Sequence, residues 1–232
     1  MKGKILLTLL IGSFFTGCFY KTHEILNKQQ QYGVDFGRDF GEIAPEPVRP
    51  NQTYTNDTQD SKLISQFAVF DRYIGKKTGK DCSGFILHVN KELDGKILNV
   101  NEIVKHYDKS GRRSKAMFNM FKKSNKLIMT NTASVGDLVF FANTLGSGVK
   151  KNKDKENITH VGIVTKVNKN GSIEFLHNAD GKVKKGYMDL NQKNTHKKGN
   201  LIINHYIVRC KKGMSHCLAS HRFAGFGKTE IR

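Results

Sequence analysis

Two apolar runs bracket a strong turn in the second half of the chain, and that pairing limits the fold more than any other feature. Val161–Val167 and Ile173–Leu176 flank Asn168–Ser172, with Asn170-Gly171 at its centre. An Asn-Gly pair supplies the left-handed backbone that a tight reversal needs, so the runs are expected as antiparallel strands of one hairpin. Leu138–Phe141, just after Gly136-Asp137, and Leu201–Val208 read as further strands. Before them the spacing changes. Leu63, Ile64, Phe67, Ala68 and Phe70 recur at helical intervals, as do Phe85, Ile86, Val89 and Leu93, and Asp94-Gly95 stops the second set. Ile103–His106 and Lys115–Phe121 are expected as short helices, with Met117, Met120 and Phe121 as packing residues. Helices first and an antiparallel sheet afterwards give the α+β class.

The start of the chain obeys other rules. Lys2 and Lys4 precede Ile5–Phe15, a mostly apolar run of 11 residues that ends in Thr16-Gly17-Cys18. That is the layout of an export signal over residues 1–17, too short for a comfortable membrane span. Phe15-Thr16-Gly17-Cys18 resembles a bacterial lipobox, with Phe15 where Leu is usual, which marks Cys18 for lipidation. A soluble export product and an uncleaved anchor are the alternatives. Phe19 after the cysteine, instead of Asp, favours the outer membrane, facing the periplasm, by resemblance to sorting rules. Residues 18–60 then read as a lipid-anchored tether. They carry breaks at Gly33, Gly37, Gly41, Pro45, Pro47 and Pro50 and the polar stretch Asn51–Asp60.

The chain holds 39 Lys and Arg against 20 Asp and Glu, a net charge of +19 over 232 residues. Such a balance attracts polyanions. For an exported protein these are cell-wall polymers and anionic lipid, not nucleic acid. No helix-turn-helix, finger or aromatic RNA-binding pattern appears. Much of the excess is equally compatible with plain solvated surface.

Of the four cysteines, Cys18 is accounted for by lipidation, and Cys210 and Cys217 stand close enough to form a small disulfide loop in an oxidising compartment. A zinc site from Cys210, His216, Cys217 and His221 is the competing reading, made awkward by the adjacent His216 and Cys217. Cys82 is left over. It stands at the expected N-terminus of a helix, where amide N–H groups favour a thiolate. A buried core cysteine is the plainer alternative. His160 opens one hairpin strand and His177 closes the other, and counting from Gly171 is uneven, so a bulge or wide loop is implied. One imidazole could take a thiol proton while the other orients it. Two surface histidines or two metal ligands would show the same pattern. His88 and His205 read as structural.

Four segments decide between these readings. Asp81-Cys82-Ser83-Gly84-Phe85, Val135–Phe141, Thr159–Val164 and Phe175-Leu176-His177-Asn178, in that order, resemble the NlpC/P60 family of cell-wall cysteine peptidases. The resemblance implies a papain-like α+β fold, N-terminal helices packed on a central antiparallel sheet, over residues 61–210. Residues 211–232 would then be a basic C-terminal extension. It implies Cys82 as nucleophile, His160 as base and His177 as the third polar residue. The expected reaction is hydrolysis of an amide bond in the peptidoglycan stem peptide, between D-glutamate and the diamino acid. Asp81 and Ser83 would hold the free amine of that peptide. No metal or organic cofactor is required. The chain departs from the family pattern twice. Tyr73-Ile74-Gly75 is shorter than the usual Tyr and Gly-Gly segment, though Tyr73 is still expected on the oxyanion side. His160 and His177 are also unusually far apart, and a lysine- and asparagine-rich insertion, Gly146–Asn157, precedes His160. Rival functions are an inactive murein-binding scaffold of the same fold, or an amidase or acyltransferase with another target.

Overall fold

The computed structural model describes residues 70–146, 153–210 and 213–231. The expected export signal, Cys18, the tether, the first helix as far as Ala68 and part of the Gly146–Asn157 insertion lie outside the described residues. Among the described residues, no helix is long and apolar enough to cross a membrane.

Helix α1, Cys82–Glu92, forms where the sequence offers Asp81 as a cap and Phe85, Ile86 and Val89 as a buried stripe. It stops at Asp94 and Gly95, both at positive φ (52° and 80°). Buried Asn90 closes the exit. Its side chain accepts from the Ile97 and Leu98 N–H groups and donates to the Leu98 carbonyl. A short helix α2, Val100–Ile103, runs into a 3₁₀ turn, Val104–His106. Helix α3, Arg113–Lys123, buries Ala116, Met117, Phe118 and Phe121.

The sheet is built from β1 (Leu127–Ile128), β2 (Leu138–Ala142), β3 (Ile158–Val167), β4 (Ile173–Ala179), β5 (Lys182–Met188) and β8 (Phe223–Gly227). Its spatial order is β1-β8-β2-β3-β4-β5, antiparallel throughout. β6 (Lys197–Lys198) and β7 (Leu201–Ile202) make a separate two-stranded ribbon. All five residues of β2 are buried, which suits a strand covered on both faces. One cover is helical. α1 and α3 pack on Leu138, Phe140, Val161, Ile163 and Leu176, and Phe118 meets Phe140 edge-on at 5.5 Å between ring centroids. The other cover comes from Ile207, Val208, Cys217 and Ala219, packed with Val139, Phe141, Val164, Phe175 and Phe226.

Two sequence expectations need correcting here. Residues 211–232 are not an extension, because Phe223–Gly227 enters the sheet between β1 and β2. Buried Asp137 secures that return, accepting from Lys228 Nζ at 2.7 Å and Ser134 N at 2.7 Å. Leu201–Val208 is not one strand either, since only Leu201–Ile202 pairs as such. Fully buried Asn204 takes its place in a loop, donating to the Gln192 and Thr195 carbonyls and accepting from Asp189 N.

Candidate active site

The first turn of α1 is fixed before any side-chain chemistry begins. Asp81 Oδ1 accepts from Gly84 N at 2.6 Å and from Ser83 Oγ at 2.8 Å. Gly79 and Lys80, at φ 81° and 65°, bring the chain tightly across the helix. A Cβ on Gly79 would lie 2.1 Å from Phe85 N, and one on Gly84 would lie 1.9 Å from the Gly79 oxygen. Only glycine fits at either place. The loop and helix are therefore interlocked, with Cys82 at the seam.

Cys82 is half-buried and is the free cysteine among the described residues. Backbone N–H groups of Val161, Ser83 and Cys82 itself point to its sulfur and favour the thiolate. Burial opposes them and wins, and the Asp81 carboxylate adds to it, so the thiol is pushed up to about 12. Val161 follows His160, so β3 delivers an amide and an imidazole to the same corner.

His160 Nε2 lies 2.7 Å from His177 Nδ1, with the rings nearly perpendicular at 88°. The hairpin explains how. Ile163 pairs with Leu176, and a one-residue bulge between Val164 and Lys166 shifts the register towards the turn. Continuing the Ile163–Leu176 register sets His177 against Gly162, which makes His160 a diagonal neighbour. Gly162 has no side chain to stand between them. Phe141 and Phe175 pack against the two rings, with centroids at 6.1 and 5.2 Å. Burial holds His160 down to about 4, opposed by Asp81. Burial lowers His177 well below the usual imidazole range, and His160 adds to this.

These shifts favour the neutral form of the thiol and of both imidazoles. If His160 Nε2–H donates to His177, Nδ1 of His160 keeps its lone pair and is free to act as a base. The structure pairs His160 with His177, sets Ser83 on Asp81 at the start of α1, and links the two groups through the Val161 amide, next to His160, at the Cys82 sulfur.

Tyr73 is not with them. It is buried, its ring packs edge-on to Phe85 and His88, and its hydroxyl donates to Glu92 at the opposite end of α1. Arg72 and His88 share that carboxylate. This corrects the expectation that Tyr73 lines the oxyanion side. The Val161 amide is the group that sequence reasoning missed, and a backbone contribution leaves no mark in side-chain identities.

The structure joins Cys210 to Cys217. Their sulfurs and a His216 ring nitrogen lie within 4.8 Å of one another, but sulfurs bonded to each other are not available to a metal. His221, the fourth candidate, instead meets Asn194 Oδ1 at 2.7 Å. His205 is structural, its Nδ1 accepting from Tyr187 N.

The sequence model of the NlpC/P60 family matches residues 72–198, more than half of the chain. The chain belongs to the NlpC/P60 family. Its class is accordingly that of cell-wall peptidases acting on peptidoglycan, and the helix-plus-antiparallel-sheet architecture agrees with the papain-like fold. No curated protein and no solved structure gives a significant match. The NlpC/P60 match ends before β8, which completes the sheet from outside the matched span.

Proposed function

We propose that this NlpC/P60 protein is a thiol-dependent endopeptidase that hydrolyses an amide bond of the peptidoglycan stem peptide, between D-glutamate and the diamino acid. The observation that supports the reading is the Val161 amide at the Cys82 sulfur, one residue from His160, whose imidazole meets a second imidazole. Proton transfer accompanies attack, since the resting thiol and imidazole are both neutral. His160 Nδ1 takes the Cys82 proton as the sulfur adds to the carbonyl. The developing oxyanion is held by backbone N–H groups at the α1 N-terminus. The C–N bond breaks, and the leaving amine takes the proton from His160. Water then adds to the thioester, gives its proton to the same imidazole, and the acid product leaves as the Cys82 thiol is restored. His177 keeps the imidazole in the productive tautomer throughout. Asp81, exposed and hydrogen-bonded by Ser83, would receive the free amine of the stem peptide.

Incubation of purified murein with the protein and with Cys82→Ala tests this, new amine ends being identified by mass. Fragments from the native protein alone support it, and fragments from both or neither overturn it. A second reading, a murein-binding protein of the same fold without activity, is favoured by one observation. The Tyr73 hydroxyl is committed to Glu92 and absent from the cleft. Murein binding without new amine ends would select it. The proposal extends to placement. Cys18 would carry lipid and tether the enzyme to the outer membrane on the periplasmic side, and incorporation of a labelled lipid precursor that is lost in Cys18→Ala tests that.

A further inference from the structure

Successive side chains leave a strand on opposite faces, and β4 uses both at its end. His177 goes to His160. Asn178, the next residue, is buried and donates through Nδ2 to the Thr78 carbonyl at 2.7 Å. Thr78 is four residues before the nucleophile. Its segment is also held by Val183, which faces Asn178 across β4 and β5. Gly75 N donates to the Val183 carbonyl at 2.8 Å, and Val183 N donates to the Lys76 carbonyl at 2.9 Å. Beyond Thr78 there is no slack. Asp81 N donates to the Gly79 carbonyl at 2.7 Å, and Gly79 is wedged against Gly84 and Phe85. A displacement at Thr78 must therefore move Asp81 and Cys82.

The second carboxamide atom tells the same story. Asn178 Oδ1 is buried and has no hydrogen-bond partner. An unsatisfied buried acceptor is costly. The side chain is thus held by what its N–H group does at Thr78, not by complete satisfaction of its polar atoms.

We propose that Asn178 is a positioning residue that sets the nucleophile loop against the histidine pair, so that two adjacent residues of β4 fix both halves of the thiol–imidazole geometry. The inference rests on the peptidase reading for its kinetic arm, but not for its chemical arm. Asn178→Leu keeps the volume, removes the donor and also removes the orphaned oxygen. On murein fragments it is expected to lower kcat by about ten-fold or more with KM changed less than about three-fold, because misplacement of reacting groups acts on the chemical step. Independently of substrate, the rate of Cys82 alkylation by iodoacetamide is expected to change by at least about three-fold at fixed pH, as Asp81 and the amides shift around the sulfur. A folded Asn178→Leu with native kcat and native alkylation rate overturns the proposal. So does a loss confined to thermal stability. Where Asn178→Leu does not fold, Asn178→Ser, too short to reach Thr78, is held to the same criteria. If the native protein cleaves no murein, the peptidase reading fails while the alkylation arm still decides the role of Asn178.

Discussion

His160 and His177 touch through Nε2 and Nδ1 at 2.7 Å although neither is directly opposite the other in the hairpin. The contact crosses the side-chain-free position at Gly162. If it orients the base, His177→Ala should lower kcat by at least about ten-fold with little change in KM, and His177→Gln should retain more activity than Ala. Single-turnover kinetics on stem-peptide fragments would check this. Full activity in His177→Ala would remove His177 from the mechanism.

With the Cys82 thiol pushed up to about 12 and the His160 imidazole held down to about 4, a distinctive reactivity profile is expected. Iodoacetamide alkylation of Cys82 should be slow at neutral pH and climb steadily above pH 9. A preformed thiolate–imidazolium pair would instead give a plateau from mildly acidic pH upward. Asp81→Asn keeps the helix cap but removes the negative charge that raises the thiol, so alkylation should be faster at every pH below about 12. Slower alkylation in Asp81→Asn would contradict the assigned direction.

Stability should depend on pH in a defined window. His160 and His205 are both held near 4 by burial, against 6.5 for the free side chain. The unfolded chain takes up protons as pH falls through 6.5, whereas the folded chain does so only near 4. Stability is thus fully present above 6.5 and is lost progressively between 6.5 and 4. Thermal melts at pH 7.5, 6, 5 and 4.5 should show a falling midpoint, and a flat series would count against neutral buried imidazoles.

Tyr73→Phe separates a structural hydroxyl from a catalytic one. Its donation to Glu92 is at the far end of α1. The substitution should cost about 1 kcal/mol of stability, read by denaturant unfolding, and leave kcat within about two-fold. A large fall in kcat with unchanged stability would restore Tyr73 to the cleft.

Phe226, fully buried in β8, faces Val139 across the pair and packs on Phe223. Phe226→Ala should cost about 3–5 kcal/mol, measured by chemical unfolding. A cost under 1 kcal/mol would mean that β8 is not an integral part of the sheet.

The order helix-then-sheet, the hairpin at Asn170-Gly171 and the helix that begins at Cys82 could all be read from local pattern, because each is a local signal. The contact of His160 with His177 belongs to the two ends of that hairpin, whereas Cys82 was joined to them in the sequence by the resemblance to the NlpC/P60 family. Three features could not be read locally. Phe223–Gly227 carries two glycines in five residues and no clean alternation, and its place between β1 and β2 is a long-range fact that no local window contains. Beyond β7, Ile203–Val208 carries strand-like apolar residues, yet Asn204 satisfies loop backbone with its side chain and so substitutes for a ladder. The direction of Tyr73 depended on Glu92, nineteen residues away, with which it forms one bond.

The insertion of β8 beside β2 also sets an order of events as the chain is made. Cys82, His160 and His177 emerge early, but β2 keeps one hydrogen-bonding edge unpaired until residue 227 has been added. Pairing across so long a separation is slow and comes late in folding. A nascent chain would therefore hold its nucleophile in an open, unclosed sheet until its last strand had been made.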